Sequence, residues 1–306
     1  MDEIRFIKHS EIDLKKWDET ICNSYNGLVF GYSFFLNSMA DNQWDALVME
    51  DYKAVFPLVW RSKFGISYLY QPFFCQQLGV FSTEKISEKT INQFLEKIPR
   101  KFRYQNFHLN YENNFPITSQ TVKRRTSFCI DLSASYSEIF SNYNADAKKN
   151  ISKGLKLAFE YKKDIDLPIV VNCFFEAYGS YYPSNQQLKE KISDCSSQAI
   201  QFGKGFTRAI YDGAGALLCA GFFFFSNGRI HYSMAAPTPQ GKKNKATHLL
   251  IDQVLKEFAG TSFIFDFEGS DLESVAFFYS KFGPVAKTYL EVRQNNLPWW
   301  CRFLKK

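Results

Sequence analysis

Residues 205–270 of the 306-residue chain read GFTRAIYDGAGALLCAGFFFFSNGRIHYSMAAPTPQGKKNKATHLLIDQVLKEFAGTSFIFDFEGS, and they contain its clearest pattern of strands and turns. The pairs Asp212-Gly213 and Asn227-Gly228 are typical of tight hairpin turns. They separate three β-rich runs, which predicts an antiparallel meander over 206–211, 216–225 and 229–235. A loop (237–245), a helix (246–258) and a strand (262–268) follow. This order predicts an α+β unit in which helices flank a mixed, mainly antiparallel sheet.

The rest of the chain extends this unit and places a second one before it. In the second half, apolar spacing predicts further helices and a closing strand over 135–142, 145–157, 169–181, 187–202, 270–282 and 286–294. Ser270 is expected to cap the last of these helices. In the first half, strands are predicted over 4–9, 44–50, 54–62, 106–111 and 126–132, and helices over 14–24, 33–40 and 87–97. At roughly 150 residues per domain, we expect two domains, 1–133 and 134–306.

The composition is that of a folded protein with a slightly basic surface. Hydrophobic residues make up 45% and charged residues 22%, which excludes disordered and collagen-like chains. The net charge of +6 suits anionic ligands such as cofactor phosphates, RNA or lipid headgroups. It is too diffuse for a dedicated nucleic-acid arm, so duplex DNA is not expected as a partner.

The cysteines and histidines predict neither a disulfide framework nor a metal site. The seven cysteines form no C-x-x-C pair, and the four histidines are scattered. This pattern indicates free thiols in a reducing compartment and no zinc ligand set. The first residues, MDEIRFIKHSEID, lack an apolar signal region. We therefore expect a cytoplasmic location.

Three segments resemble the FemAB/FemX family of tandem-GNAT aminoacyl- and acyltransferases. They are NADAKKNISKGLK (144–156), FDFEGSDLESVAFFYSKFG (265–283) and YLYQPFFCQQLGVF (68–81). The order of elements in the second half is also that of the GNAT fold. The resemblance implies two GNAT-like domains, with an acyl-CoA or aminoacyl-tRNA donor held by the second. It further implies a small-molecule or peptidoglycan-precursor acceptor bound between them, and tRNA as a partner.

In the GNAT fold, the loop after the fourth strand and the following helix N-terminus hold the donor pyrophosphate. The resemblance places this role on Gln240, Gly241, Lys242, Lys243, Asn244 and Lys245. The loop has one glycine, whereas acetyl-CoA GNATs usually read Q/R-x-x-G-x-G/A. The lysines oppose the dipole of the helix that follows, which an anion between them would explain.

The candidate catalytic residues follow from the 265–283 segment. Asp266 and Glu268 alternate on a strand, so both should point to one face at its exposed end and bind or deprotonate an amine. Phe265 and Phe267 should face the core, and a salt bridge would equally explain the carboxylates. The family's oxyanion lysine is replaced by Tyr279, with Lys281 two residues later.

The candidate substrate-binding residues are basic, aromatic or amide side chains. They are Lys148, Lys149, Asn150, Tyr178, Tyr182, Tyr232, Gln71 and Gln76. A solvated helix face would account for the lysines and core packing for the tyrosines. His231, a lone histidine on a strand, is expected to be structural.

Two alternatives to a soluble acyltransferase remain open. The irregular loop and Tyr279 are also compatible with a non-catalytic, GNAT-derived module that binds a polar cell-wall or carbohydrate ligand. The C-terminal PWWCRFLKK combines two Trp with basic residues, a composition that suits contact with an anionic membrane surface.

Overall fold

The computed structural model describes residues 3–117, 120–182, 185–269 and 272–299. The strands are β1 (Ile4–Ile7), β2 (Trp44–Met49), β3 (Ala54–Lys63), β4 (Ile66–Leu69), β5 (Phe81–Ser82), β6 (Phe102–His108), β7 (Thr121–Asp131), β8 (Glu160–Lys163), β9 (Gly205–Tyr211), β10 (Leu217–Ser226), β11 (Arg229–Pro237), β12 (Ile264–Gly269) and β13 (Val285–Asn295). The α-helices are α1 (Leu14–Asn23), α2 (Ser33–Ala40), α3 (Glu88–Glu96), α4 (Tyr136–Ser141), α5 (Ala145–Lys156), α6 (Leu167–Tyr178), α7 (Asn185–Gln201), α8 (Pro239–Lys243), α9 (Ala246–Phe258) and α10 (Glu273–Ser280).

The first compact unit comprises residues 1–126 and 287–306. Its strands are ordered β1-β2-β3-β4-β6-β13, with β4 and β6 parallel and the other pairs antiparallel. Phe56, Phe94 and Phe107 meet edge to face in its core. This unit is therefore a mixed sheet covered by helices, as the sequence predicts.

The second compact unit comprises residues 127–286. Its strands are ordered β7-β12-β11-β10-β9-β8, and β11 pairs with β12 in parallel while the other pairs are antiparallel. The predicted meander is confirmed as β9, β10 and β11. Asn227 and Gly228 both have positive φ angles, 49° and 69°, as a two-residue type I′ hairpin requires. Helices α5 and α9 pack against each other beside this sheet.

The observed units divide the chain differently from the predicted domains 1–133 and 134–306. The division falls within β7, and residues 287–306 belong to the first unit. The strand predicted to close the second domain is β13, whose residues 291–295 pair with β6. Sequence order alone cannot reveal that β13 belongs to the first unit, because its pairing with β6 joins segments that are nearly 190 residues apart.

Several local predictions were imprecise. The strand predicted over 106–111 is β6, which begins at Phe102, and the predicted loop 237–245 contains the short helix α8. The predicted N-cap Ser270 lies outside the described residues. No helix among the described residues is long and apolar enough to cross a membrane.

Candidate functional site

The second unit contains a gap between two parallel neighbouring strands. The ladder between β11 and β12 runs from Arg229↔Ile264 to His231↔Asp266. Beyond that point the described residues of the two strands form no further pairs, although β11 continues to Pro237 and β12 to Gly269. Such an interruption leaves backbone and side chains at the strand ends available to a ligand. Glu268 lies at this position.

Glu268 is held in an unusual backbone conformation. Its φ is 60°, and the register between β12 and β7 shifts between Asp266 and Gly269. A bulge of this kind redirects a side chain and often accompanies an active site. The backbone N–H of Glu268 donates to Asp266 Oδ1 at 2.8 Å, which helps to fix the bulge.

The carboxyl group of Glu268 is largely removed from water. Its side chain is 15% exposed, and Oε1 is buried with no hydrogen-bond partner among the described residues. Burial, and then the neighbouring Asp266 carboxylate, raise the pKa of Glu268 well above its ordinary value. In its ionised form, a buried carboxyl with a raised pKa is a stronger proton acceptor for an amine substrate than an exposed one.

His231, on β11, is a close titratable neighbour of the Glu268 side chain. Its Nδ1 is 3.5 Å from Glu268 Oε1, and its side chain is 1% exposed. Burial lowers the pKa of His231 to about 3, so the imidazole is neutral near pH 7. The sequence indicated a structural histidine. Its position opposite Asp266 in a parallel ladder, which no local pattern reveals, brings it next to the candidate base.

Two tyrosine side chains lie near the Glu268 carboxyl, and two more lie close to them. Tyr279 stacks on Phe267 with ring centroids 4.8 Å apart, and its centroid is 6.0 Å from that of Tyr232. Burial and then the Glu268 carboxylate raise the pKa of both Tyr182 and Tyr279. The neighbouring Tyr178 also raises the pKa of Tyr182, Tyr232 and Tyr279, by less than burial does. Tyr182 and Tyr279 therefore lie near the Glu268 carboxyl, Tyr178 and Tyr232 lie close to these two tyrosines, and all four phenols keep their protons at neutral pH.

Asp266 differs from the exposed carboxylate that the sequence predicted. Its side chain is 1% exposed, and it accepts hydrogen bonds from Ser127 Oγ at 2.8 Å and Arg229 Nη1 at 3.0 Å. Asp266 is paired and buried because the parallel ladder of β11 and β12 brings Arg229 next to its carboxyl. Asp266 is therefore placed to orient Glu268 rather than to face solvent. Phe265 and Phe267 do face the core, as predicted.

Lys281 lies in a second group of polar side chains. Its Nζ contacts Asp146 Oδ2 at 2.6 Å, and its side chain is 16% exposed. His248 Nε2 is 4.0 Å from the same oxygen, and its ring packs edge to face on Phe278. Asp146 therefore pairs with Lys281 across α5 and the end of α10.

The basic helix α5 presents its lysines to solvent. Lys149 is exposed, and Lys148 Nζ donates to the backbone oxygen of Ser141 at 2.8 Å. The Asn150 side chain hydrogen-bonds Asp146 and lowers its pKa, after the larger effect of Lys281. The helix buries its opposite side, where Gly154 approaches Leu249 of α9. These contacts are those of a solvated helix face.

The predicted phosphate loop uses its backbone amides internally. Thr238 caps α8 by accepting from Gly241 N at 3.1 Å, and Lys242 N donates to Thr238 O at 2.8 Å. Asn244 N and Lys245 N donate to Gln240 O and Lys242 O. These amides therefore do not fit a pyrophosphate cradle in this conformation. The side chains of Gln240, Lys242, Lys243 and Lys245 are exposed.

Gly241 has a packing role that the sequence did not reveal. A Cβ at this position would lie 1.7 Å from the backbone oxygen of Leu218, so the residue has to be glycine for α8 to pack on β10.

We expect Gly241→Ala to reduce the free energy of unfolding by about 1–3 kcal/mol, the usual cost of overpacking. Urea unfolding measures this loss. Gly213→Ala is the matched control, because a Cβ there meets no atom within 4 Å. Equal stability of the two variants would contradict the packing role.

The predicted amide residues of the first unit stabilise their own loop. Gln71 Nε2 donates to Cys75 O at 2.7 Å, and Gln71 Oε1 accepts from His108 N at 2.9 Å. Gln76 Oε1 accepts from Gln77 Nε2 at 3.3 Å. The predicted role of Gln71 and Gln76 in binding the acceptor substrate stays a prediction. Among the described residues, no cluster of His, Cys, Asp or Glu has the arrangement of a metal site.

The chain shares its fold with FemX and with tandem GNAT proteins. The crystal structure of FemX matches 99% of this chain and 100% of its own, with a TM-score of 0.71 and 9% identity. L-PGS from Bacillus licheniformis matches 95% of each chain, with a TM-score of 0.57 and 12% identity. A tandem GNAT protein from the clavulanic acid biosynthesis pathway matches 97% of this chain and 99% of its own, with a TM-score of 0.51 and 10% identity.

No family model and no curated protein sequence matches the chain. The structural likeness nevertheless confirms the predicted fold, two GNAT-like domains in a FemX-like arrangement of elements. The likeness shows the fold alone, so the chemistry has to follow from the residues of the site.

Proposed function

We propose that this protein is an N-acyltransferase that moves an acyl or aminoacyl group from an activated donor to an amine. The observation that carries the proposal is the Glu268 carboxyl, buried in the gap between β11 and β12 with one oxygen lacking a hydrogen-bond partner among the described residues. The shared fold with FemX and a tandem GNAT protein supports it. A cytoplasmic location and a peptidoglycan-precursor acceptor are further parts of this proposal.

Glu268 acts as the general base in this mechanism. The acceptor amine arrives as an ammonium ion and must lose a proton before its nitrogen attacks the donor carbonyl. Because burial raises the pKa of Glu268, the difference from the amine pKa is smaller and the proton transfer costs less. The neutral His231 behind Oε1 adds no positive charge that would stabilise the carboxylate and weaken the base.

The tyrosines bind the acceptor and assist the leaving group. Aromatic faces attract an ammonium ion, and the effect grows where water is excluded. Tyr182 supplies such a face near the carboxyl, and Tyr178 lies close to Tyr182. Tyr279 retains its phenolic proton, so its O–H donates to the developing oxyanion or to the departing thiolate or alkoxide. The amide forms as the donor ester or thioester bond breaks.

The donor class is tested by thermal shift with acetyl-CoA, longer acyl-CoAs and aminoacyl-tRNA. A donor that binds only the folded chain stabilises it by about 2.7 kcal/mol at a hundred times its Kd. We expect one donor class to raise Tm and to acylate an amine in a single-turnover assay. If no donor raises Tm or is consumed, the proposal is wrong and the non-catalytic binding module becomes the better interpretation.

A further inference from the structure

The tip of the β3–β4 hairpin carries an aromatic residue that the turn itself does not favour. The ladder closes at Lys63↔Ile66, so Phe64 and Gly65 form a two-residue loop. Their φ angles are 53° and 73°, as in a type I′ turn, where Asn-Gly is the usual pair. A bulky residue in the left-handed region is strained. Phe64 is also 88% exposed, so core packing does not compensate for this strain.

An open groove of about 570 Å³ lies beside this tip. One wall is Gly65 of the turn with Ile66 and Ser67 of β4, and the other is the segment from Asn296 to Trp299. Trp299 is 85% exposed, so a second large aromatic side chain faces solvent at the same groove. Trp299 lines the groove and Phe64 precedes its lining residue Gly65, so two exposed aromatic residues lie close to one concave surface, as at many interaction sites.

Basic side chains line the groove and the adjoining hairpin. Lys101 and Arg103 are exposed on the groove itself, and Arg61 and Lys63 are exposed at the end of β3. Lys101 forms an ion pair with the buried Asp45 at 3.0 Å, which largely compensates its charge, so Arg61, Lys63 and Arg103 supply most of the positive charge of this surface. In sequence, Trp299 is followed by Trp300, Arg302, Lys305 and Lys306, which continue the same composition.

We propose that the hairpin tip and this groove dock the protein on an anionic phospholipid bilayer. Aromatic rings are stable at the boundary between headgroups and acyl chains, and lysine and arginine are attracted to lipid phosphates. Phe64 enters the interface while Lys63, Lys101 and Arg103 remain among the headgroups. Single-stranded RNA is bound by aromatic rings that stack on successive bases, whereas this surface has one ring at a hairpin tip and one on the far wall of the groove, which suits a bilayer better.

The test is cosedimentation with vesicles of phosphatidylglycerol and phosphatidylcholine, compared with vesicles of phosphatidylcholine alone. We expect binding to the anionic vesicles only, weakening as salt screens the charges. Lys63→Gln and Arg103→Gln should each weaken binding about fivefold, the contribution of one basic residue near such a surface. Phe64→Asn should weaken binding on the order of tenfold, because affinity follows the apolar area inserted.

Phe64→Asn also separates docking from folding. Asparagine is favoured at this turn position, so the variant should keep or raise Tm while it loses vesicle binding. Phe202→Asn is the matched control, since Phe202 is 58% exposed elsewhere in the chain and should bind vesicles like the wild type.

Four results would overturn the proposal, the last of them being no binding of the wild type to anionic vesicles. The first is equal binding to both vesicle types, and the second is unchanged vesicle binding by Phe64→Asn. The third is displacement of the chain from vesicles by inorganic phosphate at matched ionic strength, which would indicate a site for free phosphate. RNA binding that Phe64→Asn abolishes, without vesicle binding by the wild type, would assign the surface to RNA instead.

Discussion

Glu268→Gln is expected to lower the rate of acyl transfer by about 10²–10⁴-fold, the usual contribution of a positioned general base. Glutamine has nearly the same shape as glutamate but cannot accept the proton of an ammonium ion. Because the backbone bulge is held by the Glu268 N–H, the substitution leaves that hydrogen bond to Asp266 in place. The measurement is single-turnover transfer with the donor identified by thermal shift.

The pH dependence of the same variant gives an independent check. The folded chain holds the Glu268 proton more tightly than the unfolded chain, because its pKa is raised in the folded state. The protonated Glu268 therefore contributes its full stabilisation below the ordinary glutamate pKa. This stabilisation is lost as pH rises through the pKa of Glu268 in the folded state. Glu268→Gln should consequently be more stable than the wild type at neutral pH, and this advantage should vanish in acid.

The matched control is Glu273→Gln. Glu273 is an exposed carboxylate at the start of α10, in the same segment of sequence. It should retain both transfer and the wild-type pH profile. If Glu268→Gln transfers at the wild-type rate, the general-base assignment is wrong. If the donor still raises the Tm of this variant, donor binding does not depend on Glu268.

The sequence predicted the meander because its turns are local. Asn227-Gly228 adopts the two left-handed conformations that this dipeptide favours, and the apolar strands on either side follow. The strand over 262–268 was also identified, because Phe265 and Phe267 alternate with polar residues. Elements defined by neighbouring residues were thus accessible without a structure.

The candidate site was only partly predictable, because its geometry depends on distant contacts. The sequence identified Glu268 and the tyrosines, but the burial of Asp266 requires Arg229, which is 37 residues away. The relation of His231 to Glu268 depends on the parallel register of β11 and β12. Likewise, the contact between Gly241 and Leu218 turned a predicted phosphate loop into a packed helix.

Asp266→Ala is expected to reduce the free energy of unfolding by about 3–5 kcal/mol, the range for breaking a buried ion pair. The carboxylate is the close partner of Arg229, whose side chain is 12% exposed, and it accepts from Ser127 and from the Glu268 N–H. Removing it leaves these donors without their acceptor in a region shielded from water. Urea unfolding measures the loss.

A double-mutant cycle distinguishes this structural role from a catalytic one. Asp266→Leu combined with Arg229→Met removes both charges. The double variant should therefore lose less free energy of unfolding than the sum of the two single variants. Asp51→Ala is the control, because its ion pair with Lys16 is exposed and should contribute no measurable stability. If Asp266→Ala unfolded at the wild-type urea concentration but abolished transfer, Asp266 would be the base and Glu268 the residue that positions it.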